Sequence, residues 1–134
     1  ADVRSAVERL EGAGLPGSLV RDPNGDQINE ALGMGVQAVE LQTGTFANAE
    51  GDQQHTGLQL LTQMGQTIRA AGVQLHAGHG LNYRNVHLLA AIDGMHELNI
   101  GHSIVSRAVF VGMEQAVREM KRLMVEAARE ASGQ

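Results

Sequence analysis

The chain has 134 residues, 43% of them hydrophobic, a formal net charge of −5 at pH 7 and no cysteine. That length suits one domain, and the acidic balance argues against nucleic-acid or anionic-membrane binding as the main role, since both need a basic stripe. Without cysteine there is no disulfide framework or thiolate metal site, and no apolar run approaches the roughly 18 residues that span a bilayer. A cytoplasmic protein without a membrane partner is expected.

Helical patterns alternate with short apolar runs along the chain. Val3, Val7 and Leu10 fall at helical spacing and predict a helix over 2–12. A strand is expected over 17–21. Asp22-Pro23-Asn24 then opens a helix over 25–34, with Ile28, Ala31 and Leu32 on one face. The second strand is placed at 36–41 and is followed by a polar loop. Leu58, Leu61, Met64 and Ile68 mark a helix over 56–71, ahead of a strand over 73–77. A helix over 85–92 and a strand over 97–100 come next. Helices over 103–109 and 112–130 close the chain, the last with Met113, Ala116, Val117, Met120, Leu123, Met124 and Ala127 on one stripe. The whole of 1–134 reads as one unit.

Strands alternating with helices imply a parallel sheet with right-handed crossovers. An open doubly wound sheet and half of a (β/α)8 barrel both satisfy the pattern. Four βα units in this length are about half of the ~250 residues a full barrel takes. An open sheet would carry a glycine-rich phosphate fingerprint after its first strand. Arg21-Asp22-Pro23-Asn24 stands there instead. The half-barrel is the preferred reading.

In such folds the ligand sits at the carboxyl ends of the strands. The third strand ends in Gly78-His79-Gly80 and the fourth in Gly101-His102-Ser103. Gly80 and Gly101 let backbone N–H groups approach an anion, and Ser103 can cap the helix that follows. A bound phosphate is one reading; an ordinary strand-to-helix turn is the other. His79 is suited to proton transfer, or is a turn histidine bonded to backbone. Glu40 lies inside the apolar stretch Val39-Glu40-Leu41. A carboxylate there needs a cation, a donor or a ligand. His76 and His79 point to opposite faces of an extended run, and no helical H-E-x-x-H pair exists, so no metal site is expected. His55, His87 and His96 read as surface or local structural residues in a loop, a helix and a helix-to-strand joint.

The segments HAGHGLNYRNV (76–86), MHELNIGHSIVSRAVFVGMEQAVREMKRLM (95–124) and VELQTGTFA (39–47) resemble the pyridoxine 5′-phosphate synthase family. The similarity runs from the first helix to about residue 129. The resemblance implies a (β/α)8 barrel that forms symmetric oligomers and uses no metal or redox cofactor. It implies condensation of two phosphorylated small molecules, 3-amino-2-oxopropyl phosphate and 1-deoxy-D-xylulose 5-phosphate, in vitamin B6 biosynthesis. His79 matches the family's general acid, and Glu40 a glutamate assigned to transition-state stabilisation. Gly80, Gly101 and His102 match residues that bind the amino-oxopropyl phosphate. By the same resemblance the chain corresponds to the carboxyl-terminal half, strands five to eight. A general-base histidine, a further glutamate and the second-substrate arginines belong to the other half. Gln42 stands where members often have histidine, and Arg21 where the fifth strand is usually apolar. Half an active site implies little activity in isolation. Two open sheet edges imply self-association, for instance a two-fold dimer that completes a barrel.

Overall fold

A computed structural model describes residues 2–133; positions 1 and 134, the ends of the expected 1–134 unit, lie outside the described residues. The elements are α1 (Val3–Gly12), β1 (Ser18–Arg21), α2 (Gly25–Leu32), β2 (Ala38–Gln42), α3 (Gly44–Asn48), α4 (Gly51–Ala70), β3 (Gln74–Gly78), α5 (Val86–Ala90), β4 (Met95–Asn99), α6 (His102–Val111) and α7 (Met113–Ala131). The four strands form one sheet in the order β1-β2-β3-β4, and every neighbouring pair is parallel. This is half of a (β/α)8 barrel: sequential parallel strands, with helices covering one face of the sheet.

Strand side chains alternate between faces, so register sorts them. Val39, Leu41, Leu75 and Ala77 are fully buried and meet Leu61 and Ile68 of α4 in one cluster. That layer, between sheet and helices, is the core. On the opposite face Val20, Glu40, His76 and Glu97 stand in one row across the four strands. Gln42, Gly78 and Asn99 form the next row toward the strand ends. In a complete barrel this second face is the interior.

Local chemistry explains the helix starts. Asn24 accepts the Asp26 and Gln27 N–H groups at 3.1 and 3.2 Å, capping α2 as the Asp22-Pro23-Asn24 turn implied. Gly112, with φ +83°, separates α6 from α7.

Several boundaries differ from the sequence reading. The loop expected after β2 contains α3, and α4 begins at Gly51 rather than near 56, so His55 lies in a helix. The first turn of α4 is Gly-Asp-Gln-Gln, with no apolar residue to reveal its period. β4 starts at Met95, two residues before the expected 97. A register shift opposite Leu75/His76 interrupts the alternation there. Ser103 does not cap α6. Gly101 is the N-cap, and the Ser103 hydroxyl donates to Leu81 O at 2.8 Å, reaching back to the loop after β3.

Candidate active site

The carboxyl ends of β3 and β4 enclose a pocket of about 710 Å³ lined by His79, Gly80, Asn99, Gly101, His102 and Ser103, among others. Its floor is the start of α6. Val105 N–H makes the helix's first bond, to Gly101 O, so the N–H groups of His102, Ser103 and Ile104 precede the hydrogen-bonded turns. They give this end of the pocket a positive potential. Gly101 has φ −122°, and nothing lies within 4 Å of where its Cβ would be. With ψ −70° it lies outside the ordinary helix and strand regions, and a side chain there would project into open space.

The opposite wall is the His79–Gly80 turn. His79 has φ +85° and is the one non-glycine residue with positive φ among the described residues; Gly80 follows at +76°. Such strain persists only where neighbours hold it, and it concentrates at functional sites. The holder is α3. A Cβ on Gly44 would lie 2.8 Å from the His79 imidazole Cδ2, and one on Gly80 would lie 2.6 Å from Ala47 Cβ. The histidine ring therefore lies against the first residue of α3, and the Gly80 backbone against its fourth. Asn85, buried, donates from Nδ2 to Gly80 O at 3.3 Å and accepts Asn82 N–H at 2.8 Å.

Glu40 of β2 does not line this pocket but is bonded to a residue that does, Asn99. The Glu40 Oε2 accepts a hydrogen bond from Asn99 Nδ2 at 2.9 Å, so Glu40, in the row of His76, is joined to the next row, which Asn99 shares with Gly78. The donor is thus an amide from β4 rather than a cation. Asn99 escaped the sequence reading. The signal was the one that exposed Glu40, a polar residue within an apolar run, here Leu98-Asn99-Ile100. Below this level His76 is buried and stacks on His96, with ring centroids 5.6 Å apart; its Nδ1 is 3.8 Å from Glu97 Oε1. His96 is therefore a packing partner of the interior face. Among the described residues no group of three or more His, Cys, Asp or Glu is placed to hold a metal ion.

Outer contacts fix the floor. Arg107 of α6 forks onto Glu119 of α7, Nε to Oε2 at 2.9 Å and Nη2 to Oε1 at 3.2 Å, and Gln115 adds a third donor at 2.9 Å. The Arg107 hydrogen bonds, then that of Gln115, hold the Glu119 carboxyl below its ordinary value. Tyr83 donates to Ala116 O at 2.8 Å, tying the loop after β3 to α7. Burial, then the Glu119 charge, raises the Tyr83 phenol, so it stays a donor at neutral pH. A group depressed in the folded state stabilises above its unfolded value and loses that contribution as pH falls through its folded value. The gap in melting temperature between the native chain and Glu119→Gln should therefore close as pH drops from about 7 to below the ordinary carboxylate range. Thermal melts across that range check it, and a gap that widens in acid contradicts it.

Four parallel strands, a covering layer of helices and a pocket at the strands' carboxyl ends define a (β/α)8-barrel protein, present as one half. A mandelate oxidase crystallised with 2-hydroxy-phenylacetamide shares this fold, with a TM-score of 0.62 at 17% identity over 97% of this chain and 38% of its own. Residues 1–126 match the family described as Pyridoxal phosphate biosynthesis protein PdxJ, and the chain belongs to that family. Among curated relatives, the pyridoxine 5′-phosphate synthase of Rhodopirellula baltica is 54% identical over 91% of this chain and 50% of its own length. Those of a Synechococcus sp. and Prochlorococcus marinus are 50% and 45% identical, over 92% and 96% of this chain and 50% and 52% of theirs. The chain spans about half the length of the curated relatives it matches. No helix among the described residues is long and apolar enough to cross a membrane.

Proposed function

We propose that the chain is the strand-five-to-eight half of a cytoplasmic pyridoxine 5′-phosphate synthase and carries its phosphate and proton-donor end. The substrates on this reading are 3-amino-2-oxopropyl phosphate and 1-deoxy-D-xylulose 5-phosphate. The observation that carries it is the single pocket that gathers His79, Gly80, Gly101 and His102 at the ends of β3 and β4. The phosphate of the amino-oxopropyl substrate sits between the Gly80 turn and the first turn of α6, where unpaired N–H groups and the helix dipole favour an anion. His79 faces it as the general acid, donating to a leaving oxygen of the condensation. Glu40, held by Asn99, presents its carboxylate to cationic character that develops on the reacting nitrogen.

The general base and the grip on the second substrate come from the complementary half, so both halves must flank one substrate pair. The test mixes this chain with the amino-terminal half of a relative and follows product formation. Turnover should appear only in the mixture and fall by about 100-fold or more in His79→Ala. Turnover indifferent to His79→Ala overturns the assignment.

A second reading is favoured by the open edges. Neither β1 nor β4 has an outer partner strand among the described residues, and Val20, on the interior face, is 54% exposed. Two copies related by a two-fold axis close an eight-stranded barrel and retain phosphate binding without turnover. Each copy brings Glu40 and Glu97 to that interior, so added salt should strengthen the association by screening them. Light scattering should then give a mass near twice 14.2 kDa, rising in occupancy with salt. A monomer at all salt concentrations contradicts closure.

A further inference from the structure

We propose that Thr43 is a positioning residue that holds the strained His79 turn and so aims the imidazole, on the reading above in which His79 is the acid. Thr43 is fully buried and stands at the N-cap of α3, yet its hydroxyl makes no capping bond. An N-cap threonine ordinarily accepts from its own helix. Here Oγ1 turns to the neighbouring strand end and lies 2.6 Å from His79 O and 2.8 Å from Gly78 O. Gly78 O already accepts the Thr43 backbone N–H at 2.8 Å. The hydroxyl proton is therefore most needed at His79 O, the shorter of its two contacts.

That carbonyl belongs to the residue with φ +85°. A histidine in this region is strained, and the bond from Thr43 lies on the carbonyl side of the strained dihedral. On the other side the ring rests on Gly44, the next residue of the same turn. Thr43 and Gly44 thus grip His79 at backbone and ring from one rigid point, the junction of β2 and α3. Losing the hydroxyl releases the turn toward the ordinary negative-φ region and carries the imidazole out of the pocket.

The experiment compares Thr43→Val, which keeps shape and removes the hydroxyl, with Thr43→Ser, which keeps the hydroxyl. Backbone coupling constants of His79 report its φ, and amide shifts of Gly80 and His102 follow a titration with inorganic phosphate. Thr43→Val should move φ at 79 out of the positive region and weaken phosphate binding about tenfold or more, while Thr43→Ser stays within about twofold of the native chain. A positive φ retained in Thr43→Val overturns the role of Thr43, whatever phosphate does. If the native chain ignores phosphate, the phosphate reading fails, and φ at 79 still decides the positioning. Should Thr43→Val not fold, adding His79→Gly should restore folding, because glycine takes this φ unaided. Failure of that rescue, with His79→Gly folding normally by itself, also overturns the proposal.

Discussion

Replacing Gly78 by alanine should destabilise the chain by about 2 kcal/mol and detach Glu40 from Asn99. Gly78 is the buried last residue of β3, paired with Gln42 on one side and Asn99 on the other. A Cβ there would collide with Glu40 Oε1 and lie 3.1 Å from both the Cβ and the backbone oxygen of Asn99. The Asn99 contacts are strand backbone and its first side-chain atom, which cannot swing aside. Glu40 can, but only by leaving the 2.9 Å bond that its other oxygen accepts from the Asn99 amide. The cost is overpacking plus a carboxylate and an amide left without each other. Chemical denaturation measures the first, and the Asn99 side-chain amide resonances report the second. Gly12→Ala is the control: nothing lies within 4 Å of that position, and alanine in the last turn of α1 should be neutral or stabilising. Unchanged amide resonances in Gly78→Ala would mean that the carboxylate has room the structure does not show.

The same crowding explains what the sequence made legible. The parallel half-barrel was readable because its strands are short apolar runs between glycine-bearing turns, and because α7 and the later turns of α4 keep a clean period. Glu40 stood out because it interrupts such a run, and the two glycine-histidine turns because barrels place their ligands there. What stayed hidden depends on partners distant in sequence. Residues 44–48 are too few to show helical periodicity, and the reason for α3 is tertiary: it supports the turn at 79–80. The Ser103 hydroxyl was free to cap α6 until the fold offered it Leu81 O. The positive φ of His79 could not be read from the residue type, since most histidines have negative φ; the contacts beside it, the Thr43 hydroxyl at its carbonyl and Gly44 at its ring, come from a segment about 35 residues away. Gly80 and Gly101 look alike in sequence, yet only Gly80 has a positive φ.

Leu75→Ala should be among the most damaging single changes, at about 3–5 kcal/mol, and adding Gly65→Ala should reverse part of the loss. Leu75 is fully buried at the centre of the layer between β3 and α4. Its Cδ2 occupies the space beside Gly65, where a Cβ would come within 2.8 Å of it, and Ile92 Cγ2 borders the same place at 3.7 Å. Removing the leucine opens a cavity whose facing wall is a glycine on a helix, with no side chain to collapse into it. A half-barrel has this one core layer and a typical domain margin of only about 5–15 kcal/mol, so the loss is a large share of the total. The same geometry makes the two positions antagonistic. With Leu75 present, Gly65→Ala gains about 1 kcal/mol of helix propensity and loses about 1–3 to the clash. With Leu75→Ala already made, the clash is absent and the new methyl fills vacated space, so Gly65→Ala should stabilise. A double-mutant cycle by urea denaturation reads the coupling directly. Additive costs at the two positions would show that α4 and β3 are not packed through this contact.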